Sequence, residues 1–230
     1  MNISQSIIVI TEAGSSLGRE LVLHFAALGA SVVLIDDDAI NLSISFQACD
    51  SISQRCHKIL LDPNKPQQIE QHFEQIHQNI GCVNALINCW HGVALPGLFD
   101  DSGVENYCKN MSQVISSRYS FTSTATQQMA KLGQPGVIIN IADNIQLKPS
   151  QSISGAHSLI ASITQSWSQD LIPYRIRVGG IIARRLSTLE MEAVTNELYA
   201  QLHYEMVRHA EYIIRNDTFN GRMLEAEMTI

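Results

Sequence analysis

The run Ile7-Ile8-Val9-Ile10 passes directly into Thr11-Glu12-Ala13-Gly14-Ser15-Ser16-Leu17-Gly18, and this junction constrains the chain more than any other stretch. Apolar, β-branched residues in an unbroken run read as a strand buried on both faces, as in a parallel sheet. A turn of small residues follows, and then Leu17, Leu21, Phe25 and Leu28 recur at helical spacing up to Gly29, placed to end the helix as a left-handed cap. Strand, small turn and helix N-terminus make an anion cradle, because free backbone N–H groups and the helix dipole converge on the turn.

The same alternation continues. Ser31–Ile35 reads as a second strand closing on Asp36-Asp37-Asp38, and 57–61 as a third, ending at Asp62-Pro63. Val83–Asn88, Gly136–Ile141 and Arg175–Ile182 read as strands four to six, and Arg222–Glu227 as the last. Helices are expected between them, including 67–79, 104–132 and 154–171, with one or two in 187–214. Right-handed crossovers turn this order into a doubly wound parallel α/β sheet, three layers deep, in one domain spanning 1–230. Ligands of such sheets bind beyond the carboxyl ends of the strands, at the switch point.

Composition excludes several classes. Apolar residues make up 45% and charged residues 16%, which is neither disordered nor fibrous. A net charge of −7 argues against nucleic acid and anionic membranes as partners. No apolar run approaches ~18 residues, and no basic leader precedes the first strand. The five cysteines (Cys49, Cys56, Cys82, Cys89, Cys108) lack C-x-x-C spacing and read as free thiols of a reducing cytoplasm. His72 and His77 have the wrong spacing around Glu74 for a metal helix, so no metal is assigned.

Five segments together resemble the short-chain dehydrogenase/reductase family. Thr11–Gly18 stands where that family has T-G-x-x-x-G-x-G, and Leu86-Ile87-Asn88-Cys89-Trp90-His91 where it has L-V-N-N-A-G. Gly136–Asp143 matches its fifth strand, Pro173–Val178 its entry to the sixth, and Phe219-Asn220-Gly221 the turn before the last. The resemblance implies a Rossmann-type fold and hydride transfer between NAD(P) and an alcohol or carbonyl. It also implies a catalytic Asn, Ser, Tyr and Lys. By counting along the matched segments, these positions hold Val114, Asp143, Ile153 and His157, and no Tyr-x-x-x-Lys occurs anywhere in the chain. Isoleucine has no proton to give, so the family's acid step has no agent.

The cofactor positions are half kept. Ser15, Leu17, Gly18, Asp36, Asp62 and Asn88 stand where the resemblance implies cofactor contacts, and Asp36 at the end of strand two points to NAD over NADP. Against them, Glu12 and Ser16 replace two motif glycines. A carboxylate ~4 Å from a phosphate charge, at an effective dielectric of ~20, adds about 4 kcal/mol of repulsion, roughly three decades of affinity. An arginine pairing with Glu12 across the cleft would plug the cradle with the protein itself, and Arg184 and Arg185 after strand six are the expected candidates. Trp90 and His91 are expected to intrude on the cofactor path, and 184–215 is short for a substrate loop.

Three readings follow. The leading one is a degenerate member without the family's mechanism, binding NAD or no cofactor. It would act as a partner subunit, in a homodimer or a hetero-oligomer with an intact sibling, joined through the helices after strands four and five. The alternative is an NAD(P)-dependent oxidoreductase with a rewired Asp143–His157 pair. The third is a ligand sensor holding an anion at Arg184 and Arg185.

Overall fold

A computed structural model describes residues 1–91, 103–143, 153–184 and 196–227. Seven strands, β1 (Ile7–Thr11), β2 (Ser31–Asp36), β3 (Cys56–Leu60), β4 (Ala85–His91), β5 (Gly136–Asp143), β6 (Ile176–Arg184) and β7 (Arg222–Glu227), form one sheet in the order β3-β2-β1-β4-β5-β6-β7. Every pairing is parallel. The switch lies between β1 and β4, the first strands of the two half-sheets.

The strands alternate with α1 (Ser16–Ala27), α2 (Ala39–Asp50), α3 (Pro66–Asn79), α4 (Gly103–Lys131), α5 (Ile153–Asp170) and α6 (Asn196–Arg215). Because side chains alternate across a strand, β1 feeds two cores. Ile8 and Ile10 pack with Leu21 and Phe25 of α1, Leu42 of α2 and Met206 of α6. Val9 packs on the other face with Phe73 of α3 and Phe121 and Met129 of α4. Each such side chain, fully removed from water, contributes about 1.5–3 kcal/mol. The layers are therefore α1, α2 and α6 against the sheet, then α3, α4 and α5 on the reverse. Gly29, at φ +84°, ends α1 as expected.

Several expectations need correction. The fourth, fifth and sixth strands each run two or three residues further toward their carboxyl ends than the apolar runs suggest, because a buried parallel ladder continues through polar Asp143 and Arg184. One helix, α6, occupies the described part of 187–214. Cys49 and Cys56 are not free thiols; they form a disulfide. The end of α2 and the start of β3 bring their Cα atoms to 6.2 Å, a closeness set by the turn and not visible in C-x-x-C spacing. Cys82, Cys89 and Cys108 are free. No helix among the described residues is long and apolar enough to cross a membrane.

Candidate active site

The β1–α1 turn is built around Glu12, whose backbone is left-handed at φ +53°. That conformation brings the Glu12 carbonyl within reach of the Ser15 N–H, 3.1 Å away. The first N–H groups of a helix have no intrahelical acceptor. Ser15 takes one of them, its Oγ accepting from Gly18 N at 2.9 Å, while its carbonyl accepts the first helical bond from Arg19 N at 2.9 Å. Those of Ser16 and Leu17 are left facing the turn. The Leu17 side chain itself is core, so its contribution to a ligand is its N–H. Gly18 admits no side chain: a Cβ there would lie 2.2 Å from the Glu12 carbonyl oxygen. This is the close backbone packing the motif's last glycine provides, and it is intact.

Asp36, at the end of β2, reaches across to this turn. Its Oδ2 accepts from Gly14 N at 2.7 Å and its Oδ1 from Asp38 N at 2.9 Å. Each oxygen keeps a lone pair for a further donor, so the carboxylate both shapes the loop and stays available. Asp37 beside it is pushed up by burial and by the Asp36 charge. Glu12, Gly14, Ser15, Asp36 and Asn41 are among the residues lining an open cavity of about 320 Å³. Asp62 lies at the surface after β3, held below the usual carboxylate range chiefly by the Asn64 N–H.

The sheet interior carries a polar chain. Asn88 is buried, and its Nδ2 donates to Thr122 Oγ1 at 2.9 Å and to Asn140 Oδ1 at 3.3 Å; Asn140 in turn donates to Thr164 Oγ1 at 3.2 Å. Asn88 thus ties β4 and β5 to α4 and α5 and spends its amide nitrogen on the scaffold.

Two ion pairs dominate the strand ends. Glu12 pairs with Nη2 of Arg118, from the middle of α4, with side chains 25% and 9% exposed. An arginine does meet Glu12: among the described residues it is Arg118, while the side chains of Arg184 and Arg185 lie outside them. Arg118 falls on the buried stripe of α4, in step with Ile115, Thr122, Ala125 and Met129, and that off-pattern charge was the available signal. Burial pushes its pKa down to about 10, still well above neutrality.

The second is a triad. His203 of α6 lies between Asp143, whose Oδ2 is 3.3 Å from its Nε2, and Glu20 of α1, whose Oε1 is 3.4 Å from its Nδ1. Burial lowers the histidine's pKa, but hydrogen bonds and charges from Asp143 and Glu20 override it and hold it up at about 9. It is therefore an imidazolium at neutral pH. His203 also sits on an apolar stripe, with Met206, Ala210 and Ile213.

The expected Asp143–His157 pair is not among the contacts of the described residues. His157, on α5, is half-buried, its Nε2 has no acceptor or donor partner among the described residues, and burial pushes its pKa down. Asp143 turns to α6 because its strand-end position faces His203. Val114 lies on α4 and Ile153 opens α5. The side chains of Val114, Ile153, Trp90, His91 and Arg184, with Arg185 and 185–195 of the substrate-loop region, lie outside the described residues.

The short chain dehydrogenase family model matches residues 6–198. The chain is 26% identical over 184 residues to an uncharacterized oxidoreductase of Thermotoga maritima, covering 79% of this chain and 72% of that one. It is 27% identical over 183 residues to the NAD-dependent glycerol dehydrogenase of Listeria innocua, covering 78% and 70%. A short-chain type dehydrogenase/reductase of Mycobacterium marinum shares the fold with a TM-score of 0.82 at 17% identity, over 98% of this chain and 95% of that one. So does a Pseudomonas aeruginosa short chain oxidoreductase described as containing an atypical catalytic center, at TM-score 0.81 and 16% identity, over 100% and 98%. With most of its length matched by the family model, and the strand order and phosphate turn in place, the chain belongs to the short chain dehydrogenase family.

Proposed function

We propose that this protein is an NAD(P)-dependent oxidoreductase acting on an alcohol or carbonyl, with the Asp143–His203 pair in place of the missing Tyr and Lys. The observation that carries this reading is geometric: His203 Nε2 lies 3.3 Å from Oδ2 of Asp143, the carboxylate that the motif count puts at the family's Ser position. The described side of the cleft suits the adenosine diphosphate part of a dinucleotide: the Ser16 and Leu17 N–H groups stand at the turn, Gly18 keeps the approach open, and Asp36 is placed to accept ribose hydroxyls, which would favour NAD. A bound nicotinamide would supply the hydride chemistry. His203 would hold a proton at Nε2 shared with Asp143 Oδ2, and the pair would supply it to the oxygen that gains negative charge as the carbonyl is reduced. In alcohol oxidation the proton returns by the same route. Glu20, on the far nitrogen, orients the ring and stabilises its charged form.

The test is hydride transfer with a panel of alcohols and carbonyls at high enzyme concentration. We expect turnover that His203→Gln removes and His157→Ala leaves. Turnover untouched by His203→Gln overturns the assignment.

One observation favours a second reading: no Tyr-x-x-x-Lys occurs in the chain, and counting along the motifs puts Ile153 and His157 at the family's Tyr and Lys positions. On it the protein is a pseudoenzyme, a cytoplasmic partner subunit docking a second copy or an intact sibling through α4 and α5, where exposed Tyr119 packs on Trp167 at 6.4 Å. A lone chain that turns over substrate excludes it. Co-purification of an intact sibling, with no turnover by this chain alone, supports it.

A further inference from the structure

Glu12 sits where the family motif has its first glycine, in a left-handed conformation that side-chain-bearing residues rarely adopt. Its carboxylate is drawn onto α4 by Arg118. Arg118 is itself buried: Nη1 donates to Ser117 Oγ at 3.3 Å, and Nε has no acceptor among the described residues. Glu12 still lines the open cavity beside Gly14, Ser15 and Asp36, whereas Arg118, 9% exposed, is not part of that cavity's lining. The arginine is thus in contact with the acid that stands at the phosphate turn itself.

We propose that Arg118 is a positioning residue for a phosphate-bearing ligand: by pairing with Glu12 it draws the carboxylate off the turn and cancels its charge, so that the loop accepts a diphosphate despite carrying an acid. The proposal rests on the preceding reading that the cleft binds a dinucleotide, and adds a residue which no motif position designates. An unpaired Glu12 carboxylate ~4 Å from a phosphate would weaken binding by up to about a thousandfold. Part of that is screened at the partly exposed Glu12, and the expected effect is at least about tenfold, shrinking as salt rises.

The experiment is calorimetric titration of the whole chain with ADP-ribose, which carries the diphosphate, and with adenosine, which does not. In Arg118→Met the ADP-ribose Kd is expected to rise at least about tenfold while the adenosine Kd stays within about twofold. Arg118→Lys, which keeps the charge, is expected to recover most of the loss, and so is the double variant Arg118→Met with Glu12→Gln. A merely structural role would weaken both ligands together and would not be rescued by removing the acid. An unchanged ADP-ribose Kd in Arg118→Met, an equal loss for both ligands, or a double variant as weak as the single one overturns the proposal. If Arg118→Met does not fold, Glu12→Gln alone decides: ADP-ribose binding as tight as wild type or tighter supports the proposal, and weaker binding overturns it. Wild-type protein that binds neither probe overturns this and the preceding reading together. Wild-type protein that binds both but transfers no hydride strikes only the preceding one.

Discussion

His203 makes the stability of this fold depend on alkaline pH in a way that can be worked out beforehand. Its pKa is 6.5 when free and about 9 in the fold, where Asp143 and Glu20 flank it. Because the folded value is the higher one, the folded state binds the proton more tightly. The stabilisation is complete below the unfolded value and is lost as pH rises through the folded one. The rise corresponds to about 3 kcal/mol at ~1.4 kcal/mol per pH unit. Glu20 is 39% exposed, so water screens that half of the triad and about 2 kcal/mol is the reasonable figure. The perturbation is His203→Gln, which keeps a polar side chain but cannot take the charge. The assay is urea unfolding of both proteins at pH 6 and pH 10, comparing the difference between them at each pH so that other titrating groups cancel. Wild type should exceed the variant by about 2 kcal/mol more at pH 6 than at pH 10, close to 1 M in urea midpoint at a slope of ~2 kcal/mol/M. A difference that is the same at both pH values would show that His203 holds no extra proton in the fold, and the acid/base assignment would fall with it.

Other expectations follow from the same geometry. Glu20→Gln removes one of the two carboxylates facing His203, so the upper limb of the pH–rate profile, or the histidine's own NMR titration, should move down by about one pH unit. Gly18→Ala would place a Cβ 2.2 Å from the Glu12 carbonyl oxygen; thermal denaturation should show a loss of about 2–4 kcal/mol, with nucleotide binding abolished. Replacing both Cys49 and Cys56 with Ser opens a short loop and should lower stability by about 2.5 kcal/mol; wild type equally stable with and without reductant would refute the bond's contribution.

Much of the fold was legible because period and punctuation agree along the chain. The run at residues 7–10, the apolar face of Ile69, Phe73 and Ile76, and Gly29 after α1 each announce an element, and each forms it. Strand ends were harder to read: β5 continues through Asp143 and β6 through Arg184 because a ladder buried in its middle does not need apolar residues at its mouth. The disulfide escaped because its cysteines are joined by a turn whose geometry no spacing rule encodes. Glu12 was recognised as an acid in the wrong place, but its partner was sought among the arginines after the sixth strand. Arg118 was passed over inside a helix read as core, though it lies on the apolar stripe itself. His203 was missed for the same reason, on the buried face of α6.

Those two omissions share a cause that bears on function. Each anionic replacement at the strand ends is matched by a cation from a helix packed against it: Glu12 by Arg118, and Asp143 by His203. A buried charge left alone costs several kcal/mol, so a cleft that had merely decayed would be expected to shed such residues or expose them. Here both acids are partly exposed while both cations are buried against them, which keeps the strand ends electrically balanced. The pairing also sets their separate tasks. Arg118, at about 10, keeps its proton through neutrality and to higher pH than His203, so near neutral pH the Glu12 pair can only position. Histidine at about 9 can release one, so the Asp143 pair can position and also react. Double-mutant cycles separate the two. Coupling between positions 143 and 203 should fall as pH rises through about 9, about one pH unit before coupling between 12 and 118 begins to fall. If both decline together, the pH response is a general loosening of the cleft, and the division of labour between the two pairs is wrong.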